Sequence, residues 1–391
     1  MSTTLENAAA PDAKKSAGTR FAWANAVSRE SAIQMAVSQS RTEVAGTAAD
    51  PVSPHACEEA PTARPRVLIT RPLPDSVAER LERTCAIQTL PHDAALPAAE
   101  LGKLCRETEG LLVIFTPVNE GVLTSAPHLR VVASCGAGYD HIDVAACTRR
   151  GIVVTNTPDV VSESTADMAF GLLLAVARRV VEGQCYICQG LWRKWEWGLL
   201  WGTEVHHKTL GLYGFGRIGQ AMARRARGFS MRVLYHARRR APEALESELG
   251  AEFVDRESLL RQSDFLSLHV PLGPKTRQLI GAPELALMKP TAFLINTARG
   301  PVVDEKALAK ALQDGALAGA ALDVFEQEPN VEPDLLRFPS VVLTPHIGTA
   351  TAETRLKMAS LAAQNLIEAL HGRRPPNVVN PEVYESLHPA R

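Results

Sequence analysis

A glycine pattern at residues 214–219 constrains this chain more than any other feature. Leu210, Leu212 and Tyr213 run into Gly214-Phe215-Gly216-Arg217-Ile218-Gly219, and Ile218, Met222, Ala226 and Phe229 follow at helical spacings of four, four and three. That order is strand, tight turn, helix. Gly214 permits the turn, Gly216 lets the backbone approach a pyrophosphate, and Gly219 lets the helix pack closely on the strand. Free N–H groups and the positive dipole end of the helix then hold phosphates. With a second strand at Arg232 to His236, the context predicts a dinucleotide site rather than an ordinary βαβ turn.

The second strand bears on which dinucleotide. An NAD site places an acidic residue about 20 positions on to take the ribose hydroxyl, whereas an Arg accommodates a 2′-phosphate. Here the strand ends in Tyr235-His236-Ala237-Arg238-Arg239-Arg240, with no carboxylate. Guanidinium groups bind phosphate in a bidentate way and a carboxylate would repel it. The expected cofactor is NADP(H), with NAD(H) weaker; a solvated basic loop is the plainer alternative.

At 391 residues the chain is expected to hold two or three domains, and 46% hydrophobic content is ample for packed cores. A formal net charge of -1 gives no reason to expect nucleic acid. The longest apolar run, near Ala169 to Ala177, is interrupted by Gly171 and too short to cross a bilayer, and no secretory signal is expected. Seven cysteines, an odd number, indicate a reducing compartment, so a cytoplasmic enzyme is expected. Cys185 and Cys188 form a C-x-x-C without a second ligand pair; one helical turn explains the spacing, and no metal is expected.

Residues 1–65 are rich in Ala, Ser, Thr and Pro and poor in large apolar side chains, which predicts a disordered extension. Strands are then expected at Arg66 to Thr70, Leu111 to Phe115, Val131 to Ser134 and Ile152 to Asn156, with helical stretches between them. Such alternation implies a small parallel sheet covered on both faces. Within it Cys135-Gly136-Ala137-Gly138-Tyr139-Asp140 leaves backbone N–H groups open, which suits a carboxylate, although an ordinary glycine turn fits the segment equally well. Asp140 and Asp143 are expected to cap the following helix. Ser164-Thr165-Ala166-Asp167 fits a capping box opening one long helix to about Gln189. Trp192, Trp195, Trp197 and Trp201, four of five tryptophans, come next and favour a subunit interface.

Beyond the glycine loop, strands are expected at Phe265 to Val270, Ala292 to Asn296, Ala320 to Phe325 and Val341 to Thr344, so the second half holds at least six, as a Rossmann sheet requires. Arg299, Glu328 and His346 lie just past the ends of three of them, where ligands bind in open α/β sheets. Each has a bland reading as a surface charge or helix cap; their joint placement on one rim favours chemistry. Reduction of a 2-oxo acid leaves negative charge on the carbonyl oxygen, and an imidazole is suited to donate the proton, worth roughly 10²- to 10⁴-fold. Glu328 would bond the other ring nitrogen of His346, and Arg299 would clamp the substrate carboxylate and carbonyl.

Gly136-Ala137-Gly138-Tyr139-Asp140-His141-Ile142-Asp143, the 214–219 loop and the Arg299, Glu328 and His346 segments, in that order, resemble the D-isomer-specific 2-hydroxyacid dehydrogenases. The glyoxylate/hydroxypyruvate reductase branch is the nearest likeness, sharing Asn156-Thr157-Pro158-Asp159-Val160 and Arg238-Arg239. The resemblance spans about residues 66–385. It implies an α/β fold with a Rossmann domain at 164–349 and a discontinuous flavodoxin-like substrate domain at 66–163 and 350–385. It implies catalysis by Arg299, Glu328 and His346, and substrate contacts at Ala137, Gly138 and Arg299, with Trp195 able to reach a neighbour's site in a homodimer. Implied cofactor contacts are Gly214, Phe215, Gly216, Arg217, Ile218, Gly219, Ala237, Arg238, Arg239, Pro271, Thr297, Ala298, Asp323, Ile347 and Gly348. NAD-using relatives carry Asp at the place of Ala237, and Phe215 departs from the family's usual aliphatic residue, a change expected to be tolerated. The expected activity is NADPH-dependent reduction of glyoxylate or hydroxypyruvate to the D-2-hydroxy acid. A 2-ketogluconate-type reductase and a nucleotide-sensing, corepressor-like binding protein are the alternatives.

Overall fold

A computed structural model describes residues 64–91 and 96–387. The expected disordered extension falls outside these residues, apart from its last two positions. Two wholly parallel sheets organise what is described.

In the first sheet the order is β2-β1-β3-β4-β5, with β1 Arg66–Ile69, β2 Ala86–Thr89, β3 Gly110–Val113, β4 Val131–Ser134 and β5 Val153–Thr155. This is the flavodoxin-like order. Strands β3 and β4 are buried along their whole length, because helices cover both faces and leave no solvent side to alternate towards. The Ala352–Leu370 helix returns from the chain's end to this sheet. Its Ala359, Ala362, Ala363 and Leu366 pack with Val67, Ile69, Leu112 and Val131 in one core. Strand β2 was not expected from the sequence: it is a sheet edge, and Ala86-Ile87-Gln88-Thr89 has no buried face.

The second sheet has seven strands in the order β12-β11-β10-β9-β6-β7-β8. They are β6 Thr209–Tyr213, β7 Arg232–His236, β8 Ala251–Phe253, β9 Phe265–Leu268, β10 Phe293–Asn296, β11 Gly319–Leu322 and β12 Val341–Leu343. The order reverses between β6 and β9, so the crevice beyond their C-terminal ends is where this architecture binds ligands. Tyr213 pairs with both His236 and Leu268, which brings those three ends level. The runs read to Val270 and Phe325 overshoot β9 and β11, since the apolar residues past the strand ends belong to the loops of the site.

Two local expectations fail. The capping box at Ser164 does not form: the helix begins earlier, at Ser162–Ala177, and the Ser164 hydroxyl donates instead to the Gly348 carbonyl at 3.0 Å. That helix also does not continue to Gln189. The Ala177 carbonyl accepts from the Thr203 N–H at 2.8 Å, and Arg179 turns left-handed (φ 52°) before a separate helix, Val180–Cys188. Cys185 and Cys188 are exposed on this second helix. Trp192, Trp195, Trp197 and Trp201 are exposed as well. Among the described residues no helix is long and apolar enough to cross a membrane, and no group of three or more His, Cys, Asp or Glu could hold a metal ion.

Candidate active site

Loops from the C-terminal ends of both sheets enclose a cavity of about 540 Å³. Of the expected site residues, Ala137, Gly138, Ile218, Arg238, Pro271, Thr297, Ala298, Arg299, Asp323, His346 and Gly348 line it. Glu328 touches His346 from behind. Gly214, Phe215, Gly216, Arg217, Gly219, Ala237, Arg239 and Ile347 are not among the lining residues. Phe215 is buried, stacked on Tyr235 at 3.9 Å between ring centres, Arg217 forms an ion pair with Asp159, and the Ile347 N–H donates to Asp323. Trp195 lies exposed on its own segment, outside its own chain's cavity.

The His346 loop follows β12 and is shaped by one buried carboxylate. Asp323, at the end of β11, accepts from the Thr344 hydroxyl at 2.6 Å, the Ile347 N–H at 2.8 Å and the Gly348 N–H at 2.7 Å. Three donors satisfy a group that would otherwise be costly to bury. His346 is thereby held in the left-handed region (φ 53°). Its Nδ1 lies 2.8 Å from Oε2 of Glu328, whose Oε1 accepts from the Phe325 N–H at 3.0 Å. Burial alone would push the Glu328 carboxyl up, but the His346 hydrogen bond and charge, the Phe325 N–H and Arg299 outweigh it and hold it below the usual carboxylate range. An ionised carboxylate only accepts, so Nδ1 carries the proton and Nε2 is the nitrogen left for a ligand.

Two further imidazoles line the cavity, and neither was singled out from the sequence. Burial pushes His141 down to about 4 against the pull of Asp140, and His269 down to about 3. Both are neutral near pH 7, and the Nε2 of His269 is engaged with the Ser267 hydroxyl at 2.9 Å. His346 differs from both in being paired with a carboxylate. Phe115, also unforeseen, sits edge-on to the His346 ring at 4.7 Å between centres with φ 51°.

Arg299 follows β10 and reaches across to the first sheet. Its Nε donates to Oδ1 of Asp140 at 2.9 Å and its Nη1 to the Ala298 carbonyl at 2.8 Å. The cap expected of Asp140 is therefore not made. Asp143 alone accepts from the Ala146 N–H, at 2.9 Å, to start the Val144–Arg149 helix. Gly138 is a glycine for a reason: a Cβ there would meet Arg299 Nη2 at 1.7 Å.

At the glycine loop the three positions behave differently. Gly214 has φ 100°, and a Cβ on it would come within 2.4 Å of the His269 carbonyl oxygen. A Cβ on Gly219 would come within 2.4 Å of the Gly214 oxygen, whereas one on Gly216 would meet nothing within 4 Å. So the first glycine makes the turn, the third seats the helix, and the second faces open space at the start of the Arg217–Gly228 helix, where unpaired N–H groups suit a phosphate. These residues fit a dinucleotide. At the end of β7, Arg238 and Arg239 are exposed, whereas Arg240 folds back at 2.7 Å onto the buried Glu246, which also accepts from the Tyr235 hydroxyl at 2.5 Å.

Comparison with known proteins agrees with this geometry. The sequence profile described as D-isomer specific 2-hydroxyacid dehydrogenase, NAD binding domain, matches residues 170–348. The chain is 49% identical over 331 residues to a glyoxylate reductase of Thermococcus litoralis, covering 83% of this chain and 100% of that protein. It is 48% identical over 331 residues to a glyoxylate reductase of Thermococcus kodakarensis, covering 83% of this chain and 99% of that protein. Among solved structures it is similar to an NADPH-dependent glyoxylate/hydroxypyruvate reductase from Sinorhizobium meliloti in complex with NADP and malonate. The TM-score is 0.72 at 37% identity, over 81% of this chain and 97% of that one.

Proposed function

Because this chain belongs to the D-isomer specific 2-hydroxyacid dehydrogenase family, we propose that it reduces a small 2-oxo acid with NADPH, glyoxylate to glycolate or hydroxypyruvate to D-glycerate. The observation that carries the reading is the convergence of the His346–Glu328 pair and Arg299 on one cavity with the glycine loop's helix. Residues 66–163 with 350–385 form the substrate unit in this reading, and 164–349 the cofactor unit. The return of the Ala352–Leu370 helix to the first sheet supports that division.

The cofactor, when bound, supplies the hydride that the carbonyl carbon accepts. Residues 214–219 would hold its pyrophosphate and Arg238 with Arg239 its 2′-phosphate. His346 gives a proton from Nε2 to the substrate's carbonyl oxygen, while Glu328 holds the ring through Nδ1. Arg299 orients the substrate carboxylate and carbonyl and offsets the charge that develops on the oxygen. Asp323 acts on the reaction by folding the loop that carries His346. A homodimer joined through the segment bearing Trp192, Trp195, Trp197 and Trp201 accounts for four exposed tryptophans in sequence proximity.

Steady-state NADPH oxidation against glyoxylate, hydroxypyruvate, pyruvate, phenylpyruvate and 2-ketogluconate, repeated with NADH, tests the proposal. Fast turnover of the first two with NADPH is expected. Silence across the panel with NADPH still bound would replace the reductase with a nucleotide-sensing protein.

A further inference from the structure

The loop 135–140 owes its polarity to residues outside it. The Gly136 carbonyl accepts from the Thr157 N–H at 2.9 Å, the Ala137 carbonyl from the Asn156 side-chain Nδ2 at 2.7 Å, and the Gly138 carbonyl from the Ser134 hydroxyl at 3.4 Å. In a trans peptide the N–H points opposite to the C=O before it. Fixing the first two carbonyls on the β5 side therefore turns the N–H groups of Ala137 and Gly138 the other way. Among the described residues those two N–H groups, and that of Gly136, donate to nothing. Ala137 and Gly138 line the cavity, and the guanidinium of Arg299 lies against Gly138.

Asn156 is itself held from two directions. Its carbonyl accepts from Nδ2 of Asn365 at 2.9 Å, a fully buried side chain on the returning Ala352–Leu370 helix, and its N–H donates to the Asn377 carbonyl at 3.3 Å. A chain of amides thus runs from the C-terminal helix, through the residue that follows β5, to one peptide of the 135–140 loop.

We propose that Asn156 is a positioning residue for substrate binding: its amide fixes the 137–138 peptide so that backbone N–H groups, rather than a carbonyl, meet the substrate carboxylate beside Arg299. The inference rests on the reading of the cavity as a 2-oxo acid site. The position calls for a side-chain donor. Alanine leaves the peptide free to turn, and aspartate, an acceptor facing the Ala137 oxygen, drives it to the opposite orientation, which presents a carbonyl to the anion.

Titration of oxamate into NADPH-saturated enzyme tests this. Asn156→Ala should raise the oxamate Kd about tenfold, the loss of roughly one net hydrogen bond, and Asn156→Asp should raise it further. NADPH affinity should not change in either variant, because the phosphate site lies at 214–219. A merely structural role would lower the melting temperature and leave oxamate binding alone. If Asn156→Asp does not fold, Asn156→Ser, a shorter donor, should fall between wild type and Asn156→Ala. An unchanged oxamate Kd in folded Asn156→Ala, or a wild type that does not bind oxamate, would overturn the proposal. A wild type that binds oxamate but reduces no 2-oxo acid would refute the reaction proposed above while supporting the carboxylate site.

Discussion

Nδ1 of His346 and Oε2 of Glu328 lie 2.8 Å apart, contributed by loops that follow two neighbouring strands, β12 and β11. The contact commits Nδ1 to donation and leaves Nε2 as the ring nitrogen open to a ligand. His346→Ala should lower kcat at least about a hundredfold without weakening NADPH binding. Turnover near wild type would remove His346 from the mechanism. Glu328→Gln leaves one acceptor oxygen for the two donors that Glu328 now takes, His346 Nδ1 and the Phe325 N–H, and should lower kcat about tenfold or more without weakening NADPH binding. Turnover near wild type would mean that the hold on His346 Nδ1 is not needed.

Cofactor choice separates three adjacent arginines. Arg238→Ala combined with Arg239→Ala should weaken NADPH at least about tenfold and leave NADH nearly unchanged, since only NADPH carries the extra phosphate. Arg240 is engaged with Glu246, so Arg240→Ala should lower the melting temperature and keep the NADPH-to-NADH ratio. Equal loss of both dinucleotides in the double variant would contradict the assignment of Arg238 and Arg239.

Two glycines near Arg299 should respond in opposite ways. At Gly138 an added Cβ meets the mobile end of the Arg299 side chain, so Gly138→Ala should raise KM for the 2-oxo acid about tenfold or more with little change in stability. At Gly300 it would lie 1.8 Å from the Phe325 backbone carbon, which cannot give way. Gly300→Ala should therefore fail to fold or melt far lower. Kinetics and thermal melts on both variants decide the matter, and a catalytically normal Gly138→Ala would mean that Arg299 need not occupy its observed place.

Acid should act on the support beneath the arginine loop. Hydrogen bonds from Arg240 and from the Tyr235 hydroxyl hold the Glu246 carboxyl down at about 2, against the effect of burial. A depressed folded value means that the stabilisation is fully present above the unfolded value, about 4.3, and is lost as pH falls towards 2. The melting-temperature gap between wild type and Glu246→Gln should then shrink between pH 7 and pH 3. A gap of constant size would exclude the carboxylate's charge as its source.

How much of this was legible in the sequence depended on range. Strands β3, β4 and β10 are apolar runs buried on both faces, and the 214–219 loop announces itself by glycine spacing; both are local signals. Edge strands β2 and β8 were missed because Ala86-Ile87-Gln88-Thr89 and Ala251-Glu252-Phe253 lack a continuous apolar run. The break after Ala177 depends on Thr203, and the turning of Asp140 to Arg299 on a partner 159 positions away, so no local pattern could show either. His141 and His269 are neutral because of tertiary burial, which left His346 a less distinctive residue in the sequence than it is in the cavity.

In the proposed reaction, hydride from NADPH reaches the carbonyl carbon of hydroxypyruvate on the face that gives D-glycerate. The direct measurement is reduction of hydroxypyruvate with NADPH deuterated at the transferring position of nicotinamide C4, followed by mass and chiral analysis of the glycerate. D-glycerate carrying deuterium at C2 is the predicted product. L-glycerate, product without the label, or no reaction with NADPH bound would rule that reaction out.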